Sequence, residues 1–347
     1  TRTSRSLALP APAGGRKQIA MTGSPSRSSS PRAKGGFSAV DLALLAVTVV
    51  WGFNNIVVKR ALQSFLPLSF NGLRFGLATI VIFLLLYLSE GRITVPRSGL
   101  RELFVVGFLG NTVYQVAFIK GLSLSSAGNV SFVLATMPAT TALLAHLLKI
   151  ELLPWRGWLG LGVTLAGALV IVTSSGGAFT LGGQTVVGDL VVLAGTLGWA
   201  MYTILSRRLT SRYSPMQLTA WTMGLGLLTL IPVCVPELMA QDWARVDALD
   251  WASLIGSAML ALVFSYVVWN WGLRQLGTAR TAIYGNIMPL WTGLFGWLLL
   301  GEPWPPARIA GGLLILVGVA LVRRALATTP PRTPGTSATR PQAARGR

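Results

Sequence analysis

One stretch of this chain occurs twice, and that fact constrains the fold more than any other. GLSLSSAGNVSFVLATMPATTALLAHLLKIELLP, Gly121 to Pro154, returns as GLRQLGTARTAIYGNIMPLWTGLFGWLLLGEPWP, Gly272 to Pro305, with every residue displaced by 151 and no gap. Met137-Pro138 falls on Met288-Pro289, Thr141 on Thr292, and Glu151 on Glu302. Each copy is an apolar run of about 20 residues with a proline at its centre, which is long enough to cross a hydrocarbon core of roughly 30 Å as a helix. A self-match at fixed period means that one structural unit is built twice. Upstream the match continues at an offset of 148: Asp41 with Asp189, Trp51 with Trp199, Lys59-Arg60 with Arg207-Arg208, and Pro67 with Pro215. The second copy therefore carries three extra residues, which the longer 235–251 loop accommodates.

Composition narrows the class further. Of 347 residues, 52% are hydrophobic and only 11% charged, and apolar runs of spanning length recur throughout. No soluble domain buries so many, so the chain reads as an all-α, polytopic membrane protein. The net charge of +19 sits in tails and short loops, where topology and anionic lipid headgroups account for it; no nucleic-acid partner is expected. The single cysteine, Cys234, and single histidine, His146, leave no metal cluster and no Ser-His triad. The ten acidic residues lie almost wholly at span ends or in loops, so hydrolytic chemistry has few candidates, no catalytic residue is assigned, and no cofactor or metal is expected.

Ten spans are predicted, at 39–58, 67–89, 100–119, 127–148, 156–173, 187–206, 215–235, 252–273, 279–300 and 307–323. They group into a first repeat over 37–174 and a second over 186–324. Residues 1–36, rich in Ser, Pro, Gly and Arg, and residues 325–347 read as disordered tails. Met21 lies inside the first tail as an alternative start, and nothing there resembles a cleaved leader. With the N-terminus in the cytoplasm, the loops divide Lys and Arg 10 to 5 in favour of the cytoplasmic side, which places both termini there; Lys59-Arg60 is the exception. Five spans per copy is odd, so the two copies enter the membrane from opposite sides. That is an inverted repeat, a construction that sets a site near the midplane.

Several of these segments carry a family resemblance. WGFNNIVVKRAL (51–62), LRF (73–75), GLSLSSAG (121–128) and the run TMPATTALLAHLLKIELL resemble the EamA-type branch of the drug/metabolite transporter superfamily, and so does the second copy, with Gly301-Glu302 after its ninth span. In the first copy Ile150 replaces that glycine. The resemblance spans roughly 41–323. It implies ten helices, a central cavity between halves, alternating access, and export or uptake of small metabolites.

The candidate site residues are the polar ones within spans. Pro138 and Pro289 each remove a backbone donor and kink their helices; gating kinks beside a solute and plain packing kinks are equally open readings. Arg74 is the one basic residue well inside a span, where an arginine costs about 2.5–3.5 kcal/mol on insertion scales. It is read either as an anchor for a carboxylate or phosphate or, about 10 Å in from Pro67, as a snorkelling side chain. Asn54, Asn55, Tyr114, Gln115, Ser131, Tyr266, Trp269, Asn270, Tyr284 and Asn286 are candidate cavity residues, with Asn129, Tyr202 and Thr203 of the same kind; singly, each also fits interhelical hydrogen bonding. Trp51, Trp199 and Trp291 read as stacking surfaces or interface anchors. Glycines 157, 160, 162, 167, 311, 312 and 318 read as structural small faces for close helix approach. Asp41 and Asp189 start helices, Glu151 and Glu302 pair with Lys149 or Arg308, and His146 is interfacial.

The expected function is secondary transport of a small organic metabolite, an amino-acid-like solute or drug, across the inner membrane. Export is the expected direction. Partners are the solute and membrane lipids. A lipid-handling protein (flippase or intramembrane enzyme) or a non-transporting scaffold is the alternative, and the absence of a phosphate-binding loop excludes ATP hydrolysis by this chain.

Overall fold

The computed structural model describes residues 38–150, 152–174, 183–302 and 304–327, all in helices and short connections. Both tails beyond these limits, and Glu151, lie outside the described residues. Among the described residues, nine helices are long and apolar enough to cross a membrane: α1 Ala39–Ala61, α2 Pro67–Glu90, α3 Arg97–Leu124, α4 Ala127–Leu147, α6 Gln184–Leu209, α7 Pro215–Ala240, α8 Ala248–Leu276, α9 Arg280–Leu300 and α10 Pro306–Ala325. Between α4 and α6 runs α5, Trp155–Ser174, whose apolar stretch Trp155–Ile171 is shorter. No strand occurs among the described residues.

Local chemistry sets the ends. Ser38 and Asp41 form a capping box on α1, with Ser38 N–H donating to Asp41 at 2.8 Å. Ser214 and Gln217 do the same for α7. Such boxes satisfy amides that the first turn leaves without partners. Pro67 and Pro215 sit in first turns, where a missing N–H costs nothing. At the other ends, Gly91 and Gly301 adopt the left-handed cap with φ 62° and 63°, a conformation that penalises any Cβ.

Four helices depart from regular geometry, in repeat-related pairs. Helix α4 breaks between Leu134 and Met137 and α9 passes through a 3-10 turn at Gly285–Ile287, each just ahead of its proline. Proline explains both, since its ring pushes on the preceding turn. Helices α3 and α8 each contain π-helical turns, Phe108–Val113 and Ser257–Phe264, which occupy matching positions in the two copies. A π turn widens the helix and leaves carbonyls for outside donors. One is used at once: Trp51 Nε1 donates to Ala261 O at 2.9 Å.

The packing repeats as the sequence does. Helix α1 packs on α9 and α6 on α4; α3 packs on α7 and α8 on α2; α3 packs on α6 and α8 on α1; α2 meets α7, and α5 meets α10. Each pairing is the image of another or of itself, as a pseudo-two-fold relation between the copies requires. The α5–α10 contact is the most extensive. A Cβ on Gly160 would stand 2.7 Å from Gly318 O, and one on Gly167 2.6 Å from Gly311 O, so the two backbones abut. Gly312 is closed in by the Phe132 ring, Gly157 meets only its own turn at Leu153 and Pro154, and Gly162 faces open space.

The two ends of the bundle differ. At the end carrying Glu302, the α3–α4 loop is clamped. Lys59 Nζ donates to the carbonyls of Leu122 (3.0 Å), Ser123 (3.3 Å) and Ser125 (2.6 Å). The Glu302 carboxylate accepts from the amides of Ala127 and Gly128, both at 3.0 Å, an anion at a helix N-terminus. Arg308 approaches Glu302 at 3.8 Å and donates to Ser126 at 3.3 Å, and Asp189 accepts from Ser125 Oγ and from Asn129 at 3.1 Å. Lys59, the residue at odds with the loop-charge bias, thus has a packing role. At the opposite end, carrying His146, no equal clamp occurs among the described residues, and Glu151, the mate of Glu302, lies outside them. Arg207, the repeat mate of Lys59, donates within its own turn to Thr210 at 3.2 Å, and Asp41, the mate of Asp189, takes Ser38 and Tyr284. His146 Nδ1 accepts from Leu153 N–H at 2.8 Å.

Candidate functional site: a central cavity

Between the two copies lies a cavity of roughly 70 Å³. Its walls come from α1, α2, α3, α4, α6, α8 and α9. Of the residues singled out in the sequence, Asn54, Asn55, Arg74, Tyr114, Gln115, Thr203, Tyr266, Trp269 and Pro138 line it, together with Trp51 and Trp199.

Arg74 is 1% exposed and does not snorkel. Its guanidinium donates to Asn71 Oδ1 at 2.7 Å, Gln115 Oε1 at 2.9 Å and Ser257 Oγ at 3.1 Å, and it lies 5.6 and 5.7 Å from the Phe70 and Phe75 ring centroids. Every acceptor is neutral; among the described residues no carboxylate is hydrogen-bonded to it or ion-paired with it. Ser257 Oγ in turn donates to Asn54 Oδ1 at 2.6 Å. Gln115 has no freedom to turn its amide, because its Nε2 donates to Tyr266 Oη at 2.7 Å while its oxygen faces Arg74. Three polar atoms of the lining are buried without a partner among the described residues: Arg74 Nε, Trp269 Nε1 and Thr203 Oγ1. Two are donors only, the third an hydroxyl. Each such group costs on the order of 1–3 kcal/mol when left unpaired, so the cavity is built to meet hydrogen-bond acceptors.

The rest of the wall is aromatic. Trp51 and Trp199, repeat mates, meet edge to face at 5.7 Å, mid-helix rather than at a membrane interface. Trp269 lies 5.2 Å from Trp51 and 5.7 Å from Trp199, and Tyr114 lies 5.1 Å from Trp199. Gln115 and Tyr266 are also mates, 151 residues apart. The pseudo-two-fold axis therefore runs through this hydrogen bond and between the two tryptophans.

The cavity is not centred on that axis along its length. From α4 it takes Leu134, Met137, Pro138 and Thr141; from α9 it takes Ala282, Gly285 and Met288. The chain runs toward the His146 end in α4 and away from it in α9, so both sets lie on that side. This displacement explains which sequence candidates the cavity leaves out. Pro289, the mate of Pro138, is buried against neighbours instead. Tyr284 and Asn286 fall off the Ala282–Gly285–Met288 stripe: Tyr284 donates to Asp41 on α1, and Asn286 Oδ1 is buried without a partner. Ser131 donates to Gly128 O of its own helix at 2.7 Å. Asn270 is one position beyond the Leu262–Tyr266–Trp269 stripe of α8, turned toward Tyr202 and Thr219, each at 3.0 Å. Tyr202 stacks on Trp199 behind the wall at 5.0 Å, Asn129 lies at the Glu302 end, and Trp291 stacks on Phe295 at 6.4 Å. The sequence reading missed Phe118, Leu134, Met137, Thr141, Ala261, Leu262, Ala282, Gly285 and Met288. Their one signal was repeat pairing, since Phe118 is the mate of Trp269 and Met137 of Met288.

Comparison with known proteins places this architecture. An uncharacterized transporter of Bacillus subtilis is 26% identical over 80% of this chain and 91% of its own length. An S-adenosylmethionine/S-adenosylhomocysteine transporter of Chlamydia trachomatis serovar L2 is 27% identical over 80% of this chain and 86% of its own. A probable terminal-alkyne amino-acid exporter of Streptantibioticus cattleyicolor is 25% identical over 81% and 92%. A solved crystal structure shares the fold, with a TM-score of 0.62 at 18% identity, covering 84% of this chain and 99% of that one. Residues 38–173 and 186–324 each match the EamA-like transporter family, so this multi-pass membrane protein belongs to the EamA-like transporter family.

Proposed function

We propose that the protein is a secondary transporter that exports a small organic solute bearing a carboxylate or comparable anionic group. Transport proceeds by alternating access between two inverted five-helix halves, ten helices in all, in the inner membrane with both termini cytoplasmic. The observation that carries this reading is Arg74: a buried, permanent charge lining the cavity with only neutral acceptors around it. A guanidinium costs several kcal/mol to desolvate, and a solute carboxylate offers the charge-assisted, bidentate pairing that asparagine, glutamine and serine do not. Among the described residues no acid lines the cavity to receive a cationic drug. In this orientation the His146 end is cytoplasmic, so the cavity lies toward the side from which an exported solute loads. The names of two relatives, one for S-adenosylmethionine and one for an amino acid, support a solute with an α-carboxylate.

Reconstituted vesicles test the reading. Neutral L-amino acids and S-adenosylmethionine are compared with their decarboxylated amines and with a cationic drug. Carboxylate-bearing solutes are expected to move and the amines to fail, and Arg74→Gln should lower apparent affinity by about tenfold or more, since hydrogen bonds to charged groups are worth about 1.5–3 kcal/mol. Equal transport of the amines, or an Arg74→Gln protein with unchanged kinetics, would overturn it.

A further inference from the structure

We propose that Thr141 and Thr203 are the two halves of a second gate that is open in this structure, and that it closes as the mirror image of the contact between Asn55 and Thr292. The inference rests on the alternating-access reading above and adds the residues through which one side shuts.

The repeat sorts every contact between the halves into two kinds. A contact between mates, such as Gln115 with Tyr266 at 2.7 Å, maps onto itself when the halves exchange conformations, so it survives the change of state. A contact between residues that are not mates has an image elsewhere, and only one member of such a pair need exist at a time. Asn55 is the mate of Thr203 and Thr292 the mate of Thr141. The first member is made: Asn55 Nδ2 donates to Thr292 Oγ1 at 3.3 Å, and Thr292 Oγ1 donates to Gly52 O at 3.2 Å. This junction of α1 and α9 is tight, because a Cβ on Gly52 would stand 2.5 Å from Trp291 Cβ.

The image is not made. Among the described residues Thr203 Oγ1 is buried without a partner, and Thr141 Oγ1 donates to Met137 O in its own helix at 2.7 Å. Both residues line the cavity, while Thr292 does not. Two threonine hydroxyls can each donate and accept, so they complement each other as an amide and a hydroxyl do. Helices α4 and α6 are already in contact; bringing Thr141 of α4 the rest of the way onto α6 would pair Thr203, relieve an unpartnered buried hydroxyl, and close the cavity on the His146 side. The Asn55–Thr292 contact would part in the same movement. The Glu302 clamp on Ala127 and Gly128 stands on the closed side and favours the state seen here.

Disulfide trapping tests the exchange without a transported solute. In a Cys234→Ala background, two double variants, Thr141→Cys/Thr203→Cys and Asn55→Cys/Thr292→Cys, are reconstituted in phosphatidylethanolamine–phosphatidylglycerol vesicles and oxidised with copper phenanthroline, each with and without Glu302→Gln. The Asn55/Thr292 pair should cross-link faster. Glu302→Gln should slow it and speed the Thr141/Thr203 pair, each by at least threefold. Reduction should reverse both cross-links. Rates that move together with Glu302→Gln, or a Thr141/Thr203 pair that never cross-links above a Thr203→Cys control paired with Ala166→Cys, an exposed position on α5, would overturn the gate. Either result leaves the Arg74 solute comparison standing, and an unchanged Arg74→Gln protein with reciprocal cross-linking would remove the solute reading alone.

Discussion

Arg74 and Gln115 form the unit on which solute selection turns. Gln115 faces the guanidinium with its oxygen and Tyr266 with its nitrogen, so replacing the amide by a carboxylate changes charge while keeping shape. In Gln115→Glu, the new carboxylate pairs with Arg74 internally, and Tyr266 donates to it instead of accepting. The fold is expected to hold, with an unchanged melting temperature in detergent. Apparent KM for a carboxylate-bearing solute should rise by about tenfold or more, the equivalent of roughly 1.4 kcal/mol per decade. A protein that keeps wild-type KM would show that Arg74 does not meet the solute. The same residue marks a limit of reading side chains singly. A charge seven positions from a helix start is compatible with snorkelling until the neighbours that surround it, Asn71, Ser257 and two phenylalanine rings, are known.

Among the helices, α5 and α10 behave as a fixed pair and α4 and α9 as interrupted ones. The α5–α10 interface has backbone against backbone at Gly160–Gly318 and Gly167–Gly311, and in a membrane such close approach is what holds helices together. Gly167→Leu should therefore lower stability by about 1–3 kcal/mol, the usual cost of overpacking, read as a fall in detergent melting temperature. Gly162→Ala, with nothing within 4 Å of its Cβ, should leave it unchanged and serves as the control; equal losses would refute the assignment. Glycine spacing made the pairing of these helices legible, but not which glycine faces the partner. The prolines likewise announced where α4 and α9 would break. The π turns of α3 and α8 carried no comparable signal, because SAMLALVF is an ordinary helical run and the weak formers Gly110, Asn111 and Thr112 in FLGNTV do not announce an extra residue in the turn.

For the molecule as a whole, the telling feature is a symmetric sequence folded asymmetrically. One end is tied by Lys59, Glu302, Arg308 and Asp189 around the α3–α4 loop, and the cavity lies toward the other. Lys59→Met removes three hydrogen bonds to carbonyls at the end of α3. Amide exchange of residues 122–128 should rise several-fold in consequence, while exchange in α5 and α10 stays unaltered. Exchange that is unchanged in the loop would show that the clamp is held by Glu302 and Asp189 without the lysine.

The amino-acid sequence alone determined the class and the unit of construction. Long apolar runs have no soluble solution, and a gapless repeat at an offset of 151 can only be one helical unit built twice. It also indicated most of the polar cavity lining, because a polar group in a lipid-spanning helix must face other helices or water. Tertiary structure decided what depends on where a stripe points and on which of two equivalent contacts is made. Asn270, one position past Trp269, faces Thr219 rather than the cavity. Tyr284 and Asn286, candidate cavity residues from their place within a span, turn to Asp41 and into the packing. Pro138 lines the cavity and Pro289 does not, although each follows a methionine and stands three positions before a threonine in its copy. A repeat specifies both states of such a pair equally, and the choice between them belongs to the packing of one conformation.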